Sequence, residues 1–215
     1  MSLSSRIRVV LADDHTMFRE GVKQVLAGTP EIVVVDEAGD AQQVFEKIRR
    51  QQCDVVILDI SMPGRDGIEV LKQLRQLHPH LHVLVLSMYP EDQYAFRAIK
   101  AGASGYLTKN KASSELIEAI RKIASGRRYI SAEVAEQLAI DVESDADRPL
   151  HQRLSDREYQ VMLLIGSGKT VKQISEELAI SVSSVSTLRS RILKKLRMKT
   201  NAEVTHYAIK RDLVK

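Results

Sequence analysis

A short apolar run that ends in an acid constrains the fold of this chain more than any other feature. Val55 to Leu58 are four apolar residues, and Asp59 follows them directly. A run of this length, bounded by turn residues, is typical of a strand buried on both faces of a parallel sheet. Ligands bind beyond the carboxyl ends of the strands in such sheets, so Asp59 is predicted to lie at the mouth of a site. The alternative is an acid that merely starts a turn.

Strand-like and helix-like segments alternate through the first 128 residues. The predicted strands are 6–12, 32–35, 55–58, 82–87 and 104–107. The predicted helices are 15–26, one capped by Asp40 that runs through Arg50, one capped by Asp66 that stops near Pro79, 91–101, and a last one capped by Ser113 or Ser114 that runs to Ala124. This alternation predicts an α/β fold with a five-stranded parallel, doubly wound sheet, and we expect a flavodoxin-like strand order.

The rest of the chain is predicted to be a linker and a second, smaller domain. Residues 131–140 have a helical pattern, and 141–149 are acidic and end in proline, as in an exposed linker. Only helical patterns follow, at 156–165, 171–178, 182–197 and 201–210. We therefore expect a first domain at 1–128, an extra helix and linker at 129–151, and an all-α domain at 152–215.

Charge is divided unevenly between these parts. The net charge is +4, but residues 152–215 contain 13 Lys and Arg against 6 Asp and Glu, giving +7 there and −3 in the remainder. A basic tail on an acidic body suggests a polyanionic partner for the tail. No apolar run approaches the ~18 residues of a membrane span, no signal peptide is visible, and a single cysteine suits a reducing compartment. We expect a cytoplasmic protein that does not contact membranes.

Polar residues that follow the strands are expected to form one pocket. Asp13 and Asp14 follow the first strand and Asp59 the third, and these two strands are neighbours in a doubly wound sheet. Carboxylates that lie this close repel one another unless a cation neutralises them, and Mg²⁺ prefers such oxygen ligands. Ser87 and Lys109 would add a hydroxyl and an ammonium group. This combination is suited to binding a transferring phosphoryl group.

The basic tail has the pattern of a helix-turn-helix. Two helical segments are joined by about four residues, and the second carries an apolar face. The opposite face carries hydroxyl and basic side chains suited to a DNA major groove: Ser183, Thr187, Ser190, Arg191 and Lys194. Arg189 falls near the apolar side, and the pattern does not explain it. A helical bundle that binds a protein partner is the alternative.

The first domain resembles the receiver domain of two-component response regulators. The resemblance rests on Asp13-Asp14, the run from Asp59 through Met62-Pro63-Gly64 to Asp66-Gly67, Ser87 and Lys109. It implies that Asp59 is the phosphoacceptor. It further implies Mg²⁺ bound directly by Asp14, through water by Asp13, and by the Ser61 carbonyl. Lys109 would pair with the phosphoryl group, and Ser87 and Tyr106 would be switch residues. Many family members have proline where this chain has Asn110, so the geometry of the Lys109–Asn110 bond is left open.

The tail resembles LuxR-type DNA-binding domains. The matching motifs are Leu154-Ser155-x-Arg157-Glu158, Ile174-Ser175-x-x-Leu178, Ser181-x-x-Ser184-Val185 and Ile192-x-x-Lys195-Leu196. The whole chain is thus similar to the NarL/FixJ class of response regulators and, more weakly, to its GacA/UvrY branch. This resemblance adds Ser186 to the groove-facing positions. It also implies a homodimer on phosphorylation, with the last helix pairing two DNA-binding domains.

These features predict a transcription regulator controlled by a sensor histidine kinase. The kinase would phosphorylate Asp59, and phosphorylation would control dimerisation and binding to double-stranded DNA. The chain would then receive a phosphoryl group without being a turnover enzyme. The alternative is a phosphotransfer intermediate or a phosphatase-like enzyme whose helical tail docks proteins.

Overall fold

The computed structural model describes residues 6–62, 65–143 and 149–214. The chain divides into two compact units, Met1–Gln137 and Leu138–Lys215. Pro63 and Gly64 of the motif after Asp59, and residues 144–148 of the predicted linker, lie outside the described residues. Among the described residues, none of the helices has the length and apolar character needed to cross a bilayer.

The first unit contains a five-stranded parallel sheet. Its strands are β1 (Ile7–Ala12), β2 (Ile32–Ala38), β3 (Val55–Leu58), β4 (His82–Ser87) and β5 (Gly105–Thr108). They are ordered β2-β1-β3-β4-β5, which confirms the flavodoxin-like prediction. All four residues of the central β3 are buried, as expected for a strand covered on both faces.

Helices cover this sheet in two groups. The helices of the first unit are α1 (Thr16–Ala27), α2 (Ala41–Arg50), α3 (Gly67–Leu77), α4 (Glu91–Lys100) and α5 (Ala112–Ala124). α1 packs beside α5, while α2 contacts α3 and α3 contacts α4. The core between the sheet and the α1–α5 pair includes Leu11, Ile57, Leu86 and Leu116. Apolar side chains on successive helix turns and alternate strand positions build this core.

Two of the predicted helix caps are confirmed and one is wrong. Asp40 accepts a hydrogen bond from the Gln43 backbone N–H at 2.8 Å, and Asp66 accepts one from Ile68 at 2.8 Å. The predicted Ser113 or Ser114 cap fails because α5 begins earlier, at Ala112, directly after a 3₁₀ turn at Lys109–Lys111. Ala112 is buried against the core, so packing fixes the start of α5 in place of a side-chain cap.

The segment after α5 returns to the edge of the sheet. Tyr129 forms a parallel bridge with Gly105, and its carbonyl oxygen accepts a hydrogen bond from the Tyr106 N–H at 3.1 Å. This pairing covers backbone groups of β5 that would otherwise lie unpaired at the sheet edge. The next helix, α6, spans Ala132–Glu143, so it extends three residues beyond the predicted end at Ile140.

The second unit is helical. It contains α7 (Asp156–Gly166), α8 (Val171–Glu177), α9 (Val182–Leu196) and α10 (Asn201–Lys210), close to the predicted bounds. Residues from Glu158 to Gly166 are all buried, because α7 contacts α8, α9 and α10. Gly166 permits this packing: a Cβ there would lie 2.9 Å from Ala208 Cβ. α7 is thus the central helix of the unit, and α9 packs on it with Val185, Ile192 and Leu196.

Gly67 fixes the path of the chain directly after Asp59. A Cβ at Gly67 would lie 2.3 Å from Ile60 Cα and 2.7 Å from the Ile60 carbonyl oxygen. The contact is with backbone, so a side chain cannot move aside to relieve it. A glycine at the start of α3 is therefore required for the loop that follows β3.

Gly67→Ala is expected to lower the free energy of unfolding by about 2 kcal/mol, since forcing an extra carbon into packed structure typically costs ~1–3 kcal/mol. The control is Gly21→Ala in α1, where a Cβ would meet nothing within 4 Å. That change should raise stability by about 1 kcal/mol through helix propensity. Urea unfolding of the first unit measures both changes. A Gly67→Ala protein as stable as the wild type would contradict the close approach.

Candidate functional site

Two acids lie level with each other at the carboxyl ends of neighbouring strands. Ala12 at the end of β1 pairs with Leu58 at the end of β3, so Asp13 and Asp59 both begin the loops beyond the sheet. The Asp59 N–H donates to the Ala12 carbonyl oxygen at 2.8 Å, which fixes this alignment. Both carboxylates are buried: Asp59 is 1% exposed and Asp13 5% exposed. The sheet register therefore brings together two acids that are 46 positions apart in the sequence.

Lys109 places an ammonium group between these carboxylates. Its Nζ lies 2.6 Å from Asp13 Oδ2 and 2.6 Å from Asp59 Oδ2, and its side chain is only 5% exposed. Nζ also lies 4.5 Å from the centroid of the Phe18 ring, within the range of a cation–π contact. Lys109 reaches this position because it directly follows β5, whose carboxyl end lies at the same edge of the sheet.

Burial and charge oppose each other at this site. Burial raises the pKa of the Asp59 carboxyl above its ordinary value, although the Lys109 ammonium group favours the charged form. Burial disfavours the Lys109 ammonium group, but its contacts with Asp59 and Asp13 outweigh burial, and the pKa of Lys109 is raised. Lys109 therefore stays charged and partly offsets the effect of burial on the Asp59 carboxylate.

Backbone groups hold the remaining carboxylate oxygens. Asp59 Oδ1 accepts a hydrogen bond from the Ser61 N–H at 2.8 Å, and Asp13 Oδ1 accepts one from the His15 N–H at 2.8 Å. Each bond spans two residues and forms a tight turn after the strand. The turns fix the orientation of both carboxylates before any ligand binds. The described peptide bonds are trans, including Lys109–Asn110.

The acids are compatible with a divalent metal ion. Asp13, Asp14, His15 and Asp59 each offer a ligand atom, and these atoms lie within 4.8 Å of one another. Asp14 Oδ1 is buried without a hydrogen-bond partner; His15 Nδ1 lies 2.9 Å away, but not in hydrogen-bonding geometry. An orphaned carboxylate oxygen is a costly feature that a bound cation would resolve. The donor set of carboxylate oxygens therefore fits a hard divalent cation.

Ser87 and Tyr106 lie on the adjoining strands β4 and β5, and both contact Tyr89. Ser87 is fully buried, and its Oγ accepts a hydrogen bond from the Tyr89 N–H at 3.1 Å. The Tyr106 hydroxyl donates to the Tyr89 carbonyl oxygen at 2.8 Å, and burial raises the pKa of Tyr106. The structure thus brings Asp13, Asp14, Asp59 and Lys109 into one cluster. It places Ser87 and Tyr106 in a neighbouring group around Tyr89.

Three further residues contact the site although no sequence motif marks them: His15, directly before α1, and Phe18 and Arg19 within α1. His15 and Phe18 contact Asp13 and Lys109 as described above. Arg19 donates from Nη1 to the Asp13 carbonyl oxygen at 2.6 Å, and from Nε to Glu37 Oε2 at 2.9 Å. Phe18 and Arg19 fall on successive positions of a helix, so periodicity places only the apolar ring toward the sheet. The role of Arg19 depends on β2, where Glu37 lies.

α9 exposes the whole predicted groove-facing set. Val185, Ile192 and Leu196 are buried on one face of the helix. The exposed side chains of the opposite face include Ser183, Ser186, Thr187, Ser190, Arg191 and Lys194. A connection at Ala179–Ser181 joins this helix to α8, with Ala179 in the left-handed conformation. The arrangement is a helix-turn-helix with a polar, partly basic face open to solvent.

Other basic residues of α9 have structural partners. Arg189 donates from Nε to Asn201 Oδ1 at 2.6 Å, which ties α9 to the start of α10 and explains a residue that the pattern left unexplained. Lys195 Nζ lies 2.6 Å from Glu158 Oε2, a carboxylate that also caps α7. Burial alone would raise the pKa of Glu158. The contacts with Lys195 and the Ser155 backbone outweigh burial, so the pKa is lowered overall. These contacts orient α9 against its neighbours.

Comparisons with known proteins match both units. Residues 9–121 match the response regulator receiver domain family, and residues 152–208 match the bacterial regulatory proteins of the luxR family. The chain is 36% identical to the response regulator UvrY of Escherichia coli K12, over 96% of this chain and 95% of that protein. It is 35% identical to the response regulator GacA of Pseudomonas viridiflava, over 97% of this chain and 98% of that protein.

Solved structures agree in fold. RcsB of Salmonella typhimurium matches with a TM-score of 0.57 at 25% identity, covering 94% of this chain and 98% of that chain. A complex of the response regulator RcsB with DNA matches with a TM-score of 0.59 at 25% identity, covering 94% and 97%. Both matches extend across the two units, so the likeness concerns the order of the domains as well as each fold.

Lys109→Met is expected to destabilise the protein by about 3 kcal/mol at neutral pH, because it leaves two buried carboxylates without their counter-charge. The pKa of Asp59 should rise further. An acid whose pKa is raised in the folded state stabilises the fold below its unfolded pKa and loses that contribution as pH rises. The loss of stability of Lys109→Met relative to the wild type should therefore shrink as pH falls toward 5.

Carboxyl ¹³C NMR titration with EDTA present measures the pKa of Asp59. Urea unfolding at pH 7.5 and 5 measures the difference in free energy of unfolding between the variant and the wild type. Lys111→Met is the control, because Lys111 is exposed two residues further along. It should change neither quantity. An unchanged pKa of Asp59 in Lys109→Met would contradict the ion pair.

Proposed function

This chain belongs to the two-component response regulators that join a receiver domain to a LuxR-type DNA-binding domain, and we propose that phosphorylation of Asp59 controls how its tail binds double-stranded DNA. The proposal rests chiefly on one observation: Lys109 bridges the buried carboxylates of Asp13 and Asp59 at the carboxyl edge of the sheet. A buried acid next to a fixed cation is suited to accept and retain an anionic group. An aspartate that merely started a turn would need no buried ammonium group beside it.

Asp59 acts as the nucleophile toward the phosphohistidine of a sensor histidine kinase. One carboxylate oxygen forms a bond to phosphorus, the phosphorus–nitrogen bond of the donor breaks, and its electron pair stays on the imidazole nitrogen. The Ser61 N–H on Oδ1 and the Lys109 ammonium group on Oδ2 hold the carboxylate in place before the reaction. Lys109 then exchanges its contact with the carboxylate for one with a phosphoryl oxygen, so the site keeps its charge balance.

Mg²⁺ is the proposed cofactor. Asp14 and Asp59 would hold it directly, Asp13 through water, and the Ser61 carbonyl would add a further oxygen ligand. When bound, the ion would neutralise negative charge on the phosphoryl oxygens. Asp14 Oδ1 supports this assignment, since it is a buried acceptor that receives no hydrogen bond.

Ser87 and Tyr106 transmit the effect of phosphorylation from Asp59 to the loop after β4. Ser87 would hydrogen-bond the phosphoryl group and release the Tyr89 N–H that it now accepts from. Tyr106 holds the same residue through the Tyr89 carbonyl oxygen, so a shift of Ser87 would change the packing of both. Phosphorylation thus shifts the equilibrium between two arrangements of the loop after β4.

The tail is the proposed DNA-binding domain. Ser183, Ser186, Thr187, Ser190, Arg191 and Lys194 would face a major groove, since α9 exposes them all. The +7 charge of residues 152–215 supplies attraction to phosphates. The phosphorylated protein would bind as a homodimer, with α10 pairing two DNA-binding domains. The match of residues 152–208 to the luxR family, the similarity to the response regulator UvrY and the solved complex of RcsB with DNA support this role.

The remaining assignments follow from this role. We place the receiver at 1–128, the extra helix and linker at 129–151, and the DNA-binding domain at 152–215. The protein acts in the cytoplasm, where its kinase and DNA meet. It receives a phosphoryl group and can lose it to water, but it does not turn over a substrate as an enzyme does.

Asp59→Asn is expected to abolish labelling by ³²P-acetyl phosphate with Mg²⁺, because an amide is not a comparable nucleophile. Asp54→Asn serves as the control, since Asp54 lies at the opposite end of β3 and pairs with Arg8. It should label at the wild-type rate. Phosphorylation of Asp59→Asn at the wild-type level would refute the assignment of the acceptor.

Arg191→Gln and Lys194→Gln in the full-length protein are each expected to reduce the slope of log affinity against log salt by about 1, because each change removes one cation that neutralises a DNA phosphate. Lys100→Gln, an equal change of charge on the receiver, should leave the slope unchanged. Fluorescence anisotropy with duplex DNA after acetyl phosphate treatment measures the slopes. A salt-independent affinity in the wild type would favour a protein-docking tail instead.

A further inference from the structure

Two hydroxyl groups on the exposed face of α9 donate hydrogen bonds to backbone carbonyl oxygens of their own helix. Ser186 Oγ donates to the Val182 carbonyl oxygen at 2.9 Å, and Thr187 Oγ1 donates to the Ser183 carbonyl oxygen at 2.9 Å. A carbonyl oxygen carries no hydrogen, so the hydrogen in each bond belongs to the hydroxyl. Both residues are exposed, so a ligand can reach the remaining lone pairs of each hydroxyl oxygen. Each side chain therefore offers only an acceptor to a ligand.

The next turns of the same face carry the opposite chemistry. Arg191 and Lys194 follow Thr187 by four and seven positions, so they share its side of the helix, and both are exposed. Guanidinium and ammonium groups donate hydrogen bonds and cannot accept them. On this face, Ser186 and Thr187 thus offer acceptors, whereas Arg191 and Lys194 offer donors.

We infer that Ser186 and Thr187 select bases that present an amino group in the major groove, namely adenine through N6 or cytosine through N4. This inference rests on the proposed binding to DNA. Guanine presents the acceptors N7 and O6 and thymine presents O4, and an acceptor gains nothing from facing an acceptor. A hydroxyl could turn its hydrogen toward such an edge only by giving up the bond to its own helix. Arg191 and Lys194 suit guanine or phosphate oxygens instead.

The full-length protein, treated with acetyl phosphate, is first used to select bound duplexes from a randomised pool. The selected site is then altered one base at a time by removing an amino group: purine replaces adenine, or 2-pyrimidinone replaces cytosine. The protein variants are T187V, which loses the oxygen but keeps the shape, T187S, which keeps the oxygen, and S186A with its oxygen-retaining partner S186T. Circular dichroism confirms that each variant folds.

Removal of one amino group should weaken wild-type binding about three- to tenfold, the reduction expected for one hydrogen bond. T187V or S186A should show the same reduction on the intact site and no further reduction on the altered one. T187S and S186T should behave as the wild type does. Such coupling between an oxygen and an amino group identifies the contact.

Two results overturn the inference. If T187V and S186A remain as sensitive to amino removal as the wild type, these hydroxyls do not read the amino groups. If selection enriches guanine or thymine at every position sensitive to these variants, the hydroxyls act as donors. Failure to select any duplex is a different result, because it removes the proposed DNA binding itself.

Discussion

The Lys109 ammonium group between two buried carboxylates is the contact on which the first unit depends. It joins the ends of β1, β3 and β5, which the sequence separates widely. Breaking a buried ion pair by removing one partner typically costs ~3–5 kcal/mol, so the cluster cannot be varied freely. The same features fit the proposed phosphorylation of Asp59. Its carboxylate is buried, held by the Ser61 N–H and adjacent to the Lys109 ammonium group, which in this proposal transfers its contact to the incoming anion.

Much of this site could be predicted from the sequence because strand ends determine it. Apolar runs mark the strands, a parallel sheet aligns their carboxyl ends, and the residues that follow them include Asp13, Asp59 and Lys109. Local hydrogen bonds also have clear signals, as at the caps Asp40 and Asp66. The predicted start of α5 is wrong because serines suggest a cap, whereas burial of Ala112 sets the boundary.

Contacts that depend on tertiary packing have no such signal. Phe18 lies against Lys109, and Arg19 reaches the Asp13 carbonyl oxygen only because α1 packs where Glu37 can hold its guanidinium group. Arg189 is out of place on the apolar side of α9 by pattern alone, and its partner Asn201 lies in another helix. The surroundings of the functional charges also differ. Lys109 of the receiver is buried against two acids, whereas Arg191 and Lys194 of α9 are open to solvent.

The central claim is that one cluster binds both a divalent cation and the phosphoryl group. A crystal structure of the chain with Mn²⁺ and beryllofluoride, a phosphoryl mimic, measures this most directly. The account predicts an anomalous peak among the carboxylates of Asp13, Asp14 and Asp59, beryllofluoride on Asp59, and Lys109 Nζ on a fluorine. A manganese peak at another place, or beryllofluoride on a different acid, would contradict it.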